Sequence, residues 1–481
     1  MVAAGDGRTH WNGQRVGTHK PLVVGSNPSA ATLTPWRPAF WLGIFFMETA
    51  RRPFSSPNPS FCSDQTRVTT LTAIITDDIA NNGPMTFAHF MAIALYHPTL
   101  GYYNGGGQGH EPLGWRGDYF TSGDVHPLWG WTLARQLHQM WELLGRPSRF
   151  DVVEPGAGRG LLARETWRYA LERAPEWAAA LHYTLVDRAT PGSSLRAARE
   201  RRLLAELATL AVPAGGITWA NTLATAAPNG PITGCVISNE LVDALPVHVV
   251  TSNGGELREL YVAPDERTGT LTEVLGPPSA PEVASYLDTY RVPWRRYPDG
   301  WRAEISLDAI LWMREVAALL RRGFALTIDY GDTARRLYTP DRYRGTLAVY
   351  SRHQMGGDPL VHPGSQDLTA HVNFTALIEA GRAAGLRLAG LTTQGELLRR
   401  LGIIDEMEAL GARLYPAADT ERHTDRGQAD QLRRMSLRGA TSTLLNPRGL
   451  GGFRVLAQQR GVPGAARTLQ GFVRQLHGNA R

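Results

Sequence analysis

The sequence predicts an α/β protein organised around an open, Rossmann-like sheet, and three features predict it. The first is Phe150-Asp-Val-Val-Glu-Pro-Gly-Ala-Gly-Arg-Gly160, a short strand running into alternate glycines, then a helix-like segment over 161–174 that Pro175 stops. Strand, glycine turn and helix in that order open a nucleotide-binding α/β unit. The second is the strand-like run Leu181-His-Tyr-Thr-Leu-Val-Asp187, which ends on an acid. The third is a pair of apolar runs, 235–237 and 324–328, with the composition of buried strands. Ser238-Asn239-Glu240 and Asp329 follow them directly. Ligands of open α/β sheets bind outside the carboxyl ends of the strands, so these polar residues are candidates for contact.

The glycine spacing narrows the ligand. A dinucleotide fingerprint reads G-x-G-x-x-G and holds a pyrophosphate at the helix N-terminus. Here Glu154 precedes Gly156, Gly158 and Gly160 in an E-x-G-x-G-x-G pattern. A Cβ on the turn would keep a ligand away from the backbone. A carboxylate at its start suits a ligand with a cationic amino group and no phosphate, which describes S-adenosylmethionine (SAM). Asp187, ending the second strand, is placed to take ribose hydroxyls. An NAD site is the alternative, and the glycine spacing disfavours it.

At 481 residues the chain has room for two or three average domains, or for one large domain with insertions. Its hydrophobic fraction of 43% is ordinary for a globular protein. The net charge is +6, and of the 50 Lys and Arg only Lys20 is a lysine, the bias of a GC-rich genome. The arginines alternate with acids rather than cluster, which argues against a nucleic-acid partner. Two cysteines, Cys62 and Cys235, make neither a disulfide framework nor a metal set. They point to a reducing, cytosolic-type compartment. No run reaches the roughly 18 to 20 apolar residues of a membrane span.

Residues 1–46 show no helical or strand period. One back-translation of Gly25-Ser-Asn-Pro28 spells GGT-TCG-AAT-CCC, the pattern of a transfer-RNA T-arm, and the lysine also lies here. The expectation is a non-native or disordered leader, with Met47 as the start. A transit peptide is the rival, because residues 1–70 are rich in Arg and Ser and poor in acids. Residues 47–76 then form a lead-in, 77–149 helical elements that cover the cofactor site, 150–460 the catalytic domain with an insertion at about 248–304, and 461–481 a basic tail expected to fray.

Along the chain, 71–80 is helix-like, and Thr86 is placed to cap a helix over 87–96 whose Phe87, Phe90, Met91, Ala94 and Leu95 share one face. The aromatics there read as core. A glycine-rich loop at 105–109 and Gly117-Asp-Tyr-Phe-Thr-Ser122 put small polar residues beside aromatics, the mark of a loop over a ligand, so Thr121 and Ser122 are candidates for cofactor contact. Residues 128–144 form an amphipathic helix feeding the strand at Phe150, and 193–210 a helix rich in Arg, Leu and Ala. A hairpin is expected about Asn253-Gly254. A Pro- and Trp-rich cap spans 277–303, a helix 306–322, and a loop-rich stretch 331–373. His353, His362 and His371 have no short metal-ligand spacing, so no metal site is expected. Helix 374–385, strand 386–393, helix 397–410, a charged helical stretch to about 445 and a last strand over 453–458 complete the chain.

Seven segments resemble the MidA family of SAM-dependent methyltransferases: Gly83-Pro-Met-Thr-Phe87; Leu95-Tyr-His-Pro98 with Gly101-Tyr-Tyr103; Gly117-Asp-Tyr-Phe-Thr-Ser122; Val153-Glu-Pro-Gly-Ala-Gly-Arg-Gly160; Ser238-Asn-Glu-Leu-Val-Asp-Ala-Leu-Pro246; Ile328-Asp-Tyr-Gly331; and Asp367-Leu-Thr-Ala-His-Val-Asn-Phe374. They occur in the family's order over about residues 77–460. The family usually has a small or aliphatic residue at Pro155 and often Glu at Asp187. The resemblance implies a class I methyltransferase sheet of seven strands with extra helical elements, and SAM as cofactor. Its mitochondrial members methylate an arginine of a respiratory complex I subunit and assist the assembly of that complex.

Methyl transfer to arginine needs a carboxylate to hold the guanidinium bidentately, because a side chain with pKa above about 12 does not shed its proton beforehand. Glu240 is the expected catalytic residue, with Asp243 second and Asp329 as a substitute or a loop cap. Glu154, Gly156, Gly158, Gly160, Asp187, Asn239, Thr121 and Ser122 are the expected cofactor contacts. A different methyl acceptor, or a SAM-binding assembly factor with little turnover, remains as the alternative.

Overall fold

Val152, Val153, Cys235, Val236, Ile237, Phe324, Leu326 and Ile328 are all buried. Neighbouring positions on one strand go to opposite faces, so such runs require cover on both sides. The computed structural model describes residues 70–105, 114, 120–188, 194–351, 354–462, 464 and 468–472. All of these belong to one compact unit. The leader 1–46, the loop 106–109, His353 and the last residues of the tail lie outside the described residues.

Seven strands form the main sheet: β1 (Phe150–Pro155), β2 (Leu181–Val186), β3 (Ile217–Ala220), β4 (Ile232–Asn239), β5 (Leu320–Asp329), β6 (Arg387–Thr393) and β7 (Arg454–Arg460). Their order is β3-β2-β1-β4-β5-β7-β6. Strands β1 to β5 run parallel, and β7 is antiparallel to both neighbours. The winding direction reverses between β1 and β4. Their pairing ends at Val153 and Val236, although both strands continue beyond it. The crevice that a doubly wound sheet opens at its switch point is therefore bordered by Glu154 and Asn239.

Side chains alternate between two cores. Val152, Cys235, Ile237, Phe324 and Leu326 face one, with Trp129, Leu133 and Leu137 of the helix Leu128–Leu143 and Trp167 of the helix Leu161–Arg173. Val153, Val236 and Ala325 face the other, with Trp312 and Met313 of the helix Leu307–Leu319 and Leu377 of the helix Phe374–Ala383. A second sheet joins His248–Asn253, Glu256–Pro264, Leu271–Gly276 and Arg302–Ile305 to the two-residue strand Met85–Thr86. The expected turn between its first two strands is made by Gly254 and Gly255, both at positive φ. Thr86 caps the helix Phe87–Tyr96 by accepting the His89 N–H at 3.2 Å. Phe87, Phe90 and Leu95 pack with Val249, Leu260 and Val262, which attaches the N-terminal helices to the inserted hairpin.

Four segments differ from the sequence expectation. Pro175 ends one helix and begins another, Pro175–Ala180, where its missing N–H costs nothing. The helix expected over 306–322 stops at Leu319, and the next residues already belong to β5. The periodicity over 397–410 spans two helices, Gln394–Arg400 and Ile403–Leu414, separated by Gly402 at φ +82°. Both turn buried residues to the same core, which hides the break. The tail does not fray over its described residues. Leu469 is fully buried, and the Gly471 N–H donates to Gln136 Oε1 at 3.0 Å.

Leu469→Ala should therefore lower the unfolding free energy by about 2–5 kcal/mol. Urea denaturation at one pH measures it, and a change within error would return the tail to a loose end.

Candidate active site

The ends of β1, β2 and β4 open onto a cavity of about 910 Å³. Glu154, Gly156 and Gly158 line it from β1 and its turn, Asp187 from the end of β2, and Asn239 and Glu240 from the end of β4. Thr121 lines it from the preceding segment, and Tyr96 and His97 from the N-terminal helices. The glycine turn is anchored by Gly156 N–H donating to the Val186 carbonyl at 2.8 Å. Gly156 and Gly158 have φ of +70° and +53°, a region that favours glycine. A Cβ on Gly156 would come within 2.9 Å of Leu241 Cδ1, another cavity residue. Gly160 has a different place. It precedes the helix Leu161–Arg173, and a Cβ there would collide with Leu203 and Leu185 of the core.

Glu154 is buried, and its Oε2 accepts the Tyr183 hydroxyl at 2.7 Å. Burial pushes its carboxyl up to about 8, with the Tyr183 bond pulling the other way. Asp187 lies 3.4 Å from Arg199 Nη1, and both face the cavity. Asn239 donates from Nδ2 to Glu240 Oε1 at 3.0 Å. Its own Oδ1 is buried and accepts from none of the described residues.

Glu240 has φ of +49°, unusual for a residue with a side chain. Asp329, at the end of β5, explains how the turn is held there. Its Oδ2 accepts the N–H groups of Leu241, Val242 and Asp243 at 3.2, 2.9 and 3.2 Å. Glu240 Oε1 accepts the Ser122 N–H at 3.0 Å as well as Asn239 Nδ2. Burial pushes the Glu240 carboxyl up to about 7, the Ser122 and Asn239 bonds oppose this, and Asp243 adds to it. Burial also raises Asp243, and burial together with the Asp243 and Glu240 carboxylates raises Asp329 well above the usual range.

The structure thus separates the acids that the sequence grouped. Glu240 borders the cavity. Asp243 is buried beside Tyr330 and is not on the cavity wall, and Asp329 holds the turn. Thr121 is tied to Asp124, whose Oδ2 accepts its N–H at 2.9 Å and its hydroxyl at 3.0 Å, and Asp124 pairs with Arg159 of the glycine turn. Ser122 is fully buried and meets the site through its backbone N–H, which donates to Glu240. Sequence reasoning missed Arg159, Arg188, Asn221 and Tyr96 on the wall. Arg188 sits over the Tyr96 ring at 5.5 Å, and Tyr96 donates its hydroxyl to the Ala244 carbonyl at 2.8 Å. The acid–glycine motif already contained Arg159. The helical pattern of 87–96 placed Tyr96 among core aromatics.

This arrangement is that of a nucleoside-binding cleft at a switch point, with the Glu240 carboxylate on the same wall as the glycine turn. Residues 132–392 match a family model described as "Putative S-adenosyl-L-methionine-dependent methyltransferase". A protein from Burkholderia thailandensis, crystallised with S-adenosyl-homocysteine, is 31% identical over 83% of this chain and 94% of its own, with a TM-score of 0.69. The chain is also similar to a Drosophila melanogaster protein named protein arginine methyltransferase NDUFAF7 homolog, mitochondrial, at 28% identity over 70% of this chain and 76% of that one. The Homo sapiens protein arginine methyltransferase NDUFAF7, mitochondrial, is 25% identical over 91% of this chain and 92% of its own. The chain belongs to this MidA-like family and is a SAM-dependent methyltransferase. Among the described residues, no helix is long and apolar enough to cross a membrane.

The cleft fits SAM on its own terms. Gly156 and Gly158 leave the turn free of side chains on the wall, Glu154 offers a carboxyl to an ammonium group, and Asn239 Oδ1 offers an acceptor that no described residue fills. The high pKa of Glu154 has a measurable consequence. Between about pH 4.5 and 8 the folded protein holds a proton there that the unfolded chain has lost, so this group destabilises the free protein increasingly as pH rises through that window. An ammonium beside it favours the ionised form. SAM binding at pH 7 should therefore release close to one proton, read by calorimetry in buffers of different ionisation enthalpy. Glu154→Gln should lower that release, leaving only what Glu240 contributes. An equal proton count in wild type and variant would remove Glu154 from the ammonium subsite.

Proposed function

We propose that this chain methylates an arginine side chain of a protein, with Glu240 holding the guanidinium. The observation that carries this reading is the Glu240 carboxylate, fixed on the cavity wall beside the glycine turn by donors from Ser122 and Asn239. The names of the mitochondrial relatives support arginine as acceptor. The strand order, with β7 reversed, supports a class I methyltransferase sheet. By the family resemblance the acceptor is a respiratory complex I subunit, and the compartment is the bacterial cytoplasm, or the mitochondrial matrix in a eukaryote.

SAM, when bound, supplies a methyl carbon activated by a positive sulfur. Glu154 takes its ammonium group, Asp187 its ribose hydroxyls, and Gly156 and Gly158 let it lie against the turn. Asn239 and Thr121 complete the cofactor wall. Ser122 and Asp243 act from behind: Ser122 by orienting Glu240, and Asp243 by adding negative charge next to it. Glu240 accepts two N–H bonds of the guanidinium, leaves one nitrogen directed at the methyl group, and draws off the proton that the methylated nitrogen sheds. The guanidinium cation lowers the Glu240 pKa on arrival, so the carboxylate is ionised when it is needed.

Titrating the protein with SAM beside Gly158→Val tests the cofactor site, and binding should disappear in the variant. Radiolabelled transfer to complex I subunits, followed by mass spectrometry for methylarginine, tests the acceptor. Glu240→Gln should keep SAM affinity within about threefold and lower turnover more than tenfold. Unchanged turnover would remove Glu240 from the mechanism. SAM binding with no transfer to any protein would favour an assembly factor.

A further inference from the structure

Gln394 is the first residue of a helix that follows β6, far along the chain from every motif above. It is fully buried, and each polar atom of its side chain has a partner. The Trp129 indole N–H donates to its Oε1 at 2.9 Å. Its Nε2 donates to the Leu450 carbonyl at 2.9 Å and to Ser122 Oγ at 3.0 Å. The backbone N–H of Gln394 donates to the Phe453 carbonyl at 2.8 Å. An indole N–H can only donate and a carbonyl can only accept, so the amide has one orientation. Ser122 Oγ is consequently an acceptor towards Gln394, and its proton is free for a different partner. Glu240 lies beside it: the Ser122 backbone N–H donates to Glu240 Oε1 at 3.0 Å, and the Ser122 hydroxyl also favours the ionised form of that carboxyl.

We propose that Gln394 is a positioning residue for methyl transfer: by fixing the Ser122 side chain it holds the Ser122 donors against Glu240 and so orients that carboxylate for the guanidinium. The relay Trp129–Gln394–Ser122–Glu240 is directional. The Trp129 N–H points to Gln394 and one Gln394 N–H to Ser122, while the other Gln394 N–H goes to the Leu450 carbonyl. This inference rests on the reading of Glu240 given above, and deepens it by naming what tunes that residue. The other charged groups near Glu240 are Asp243 in the following turn and Asp329 at the end of β5, both of which oppose its ionisation. Glu154 and the Asp124–Arg159 pair face the same cavity. Ser122 and Asn239 supply the donors that work against these acids.

The test titrates Glu240 directly, in protein without substrate. Carbon-13 NMR of glutamate-labelled protein, with Glu240 assigned by its loss in Glu240→Gln, gives the midpoint. Gln394→Met keeps length and volume but cannot donate, and should raise the midpoint by about one pH unit or more. Gln394→Met also deprives Trp129 and Leu450 of partners, so Ser122→Ala is the second variant. It leaves Gln394 in place, removes only the hydroxyl, and should move the midpoint in the same direction. Turnover should then fall more at pH 6 than at pH 8.5 in both variants, with SAM affinity held within about threefold. A midpoint unmoved in the folded variants, with only thermal stability reduced, overturns the relay. A midpoint that moves while turnover does not would keep the relay and sink the acceptor role of Glu240.

Discussion

The carboxylate of Asp329 holds the site together. One of its oxygens receives the N–H groups of three consecutive residues, Leu241 to Asp243, immediately after Glu240. A free strand end would not hold Glu240 at positive φ, because that backbone conformation costs roughly 1–3 kcal/mol for a residue with a side chain. With the turn fixed by β5, the end of β4 cannot relax into extended pairing, and the Glu240 side chain stays on the cavity wall. The crevice between β1 and β4 supplies the space, and Asp329 determines which side chain borders it.

The same region gathers negative charge. Burial raises the carboxyls of Glu240, Asp243 and Asp329; Asp243 adds to the rise at Glu240, and both Asp243 and Glu240 add to it at Asp329. Full ionisation of the trio in the empty cleft is costly, so the cleft has a standing affinity for a cation. That fits the two positive groups the proposed reaction brings in, a sulfonium and a guanidinium. Metal ligands are not grouped in threes among the described residues, so these acids are not arranged as a cation cage.

The acid–glycine turn, Asp187 and Glu240 were legible because each lies next to its own structural cue: a strand end, or a glycine that needs positive φ. Gly160 was read as a ligand contact because its spacing matches the other two, yet its neighbours are Leu203 and Leu185, which no local pattern reveals. Asp243 and Asp329 stand in similar sequence surroundings to Glu240, and only the register of β4 against β5 shows which one points at the cavity. Gln394 carried no signal at all. Its importance comes from meeting Ser122 and Trp129, and that meeting depends on how the helix after β6 packs against the one before β1. Gly402 escaped for a related reason, because both helices it separates bury the same face.

The two-residue strand Met85–Thr86 is antiparallel to Glu256–Pro264, so Met85 finds its partner, Val262, long after the glycine turn has been made. The wall that carries Tyr96 and His97 follows that strand directly. During synthesis the first helices must wait, with Phe87, Phe90 and Leu95 uncovered, until the hairpin leaves the ribosome. Contacts of such sequence separation form slowly. The outer wall therefore depends on a strand pair that can close only after β1 and β4 have been made, and before β5 brings Asp329. A nascent chain that ends before the hairpin would lack the wall that carries Tyr96 and His97.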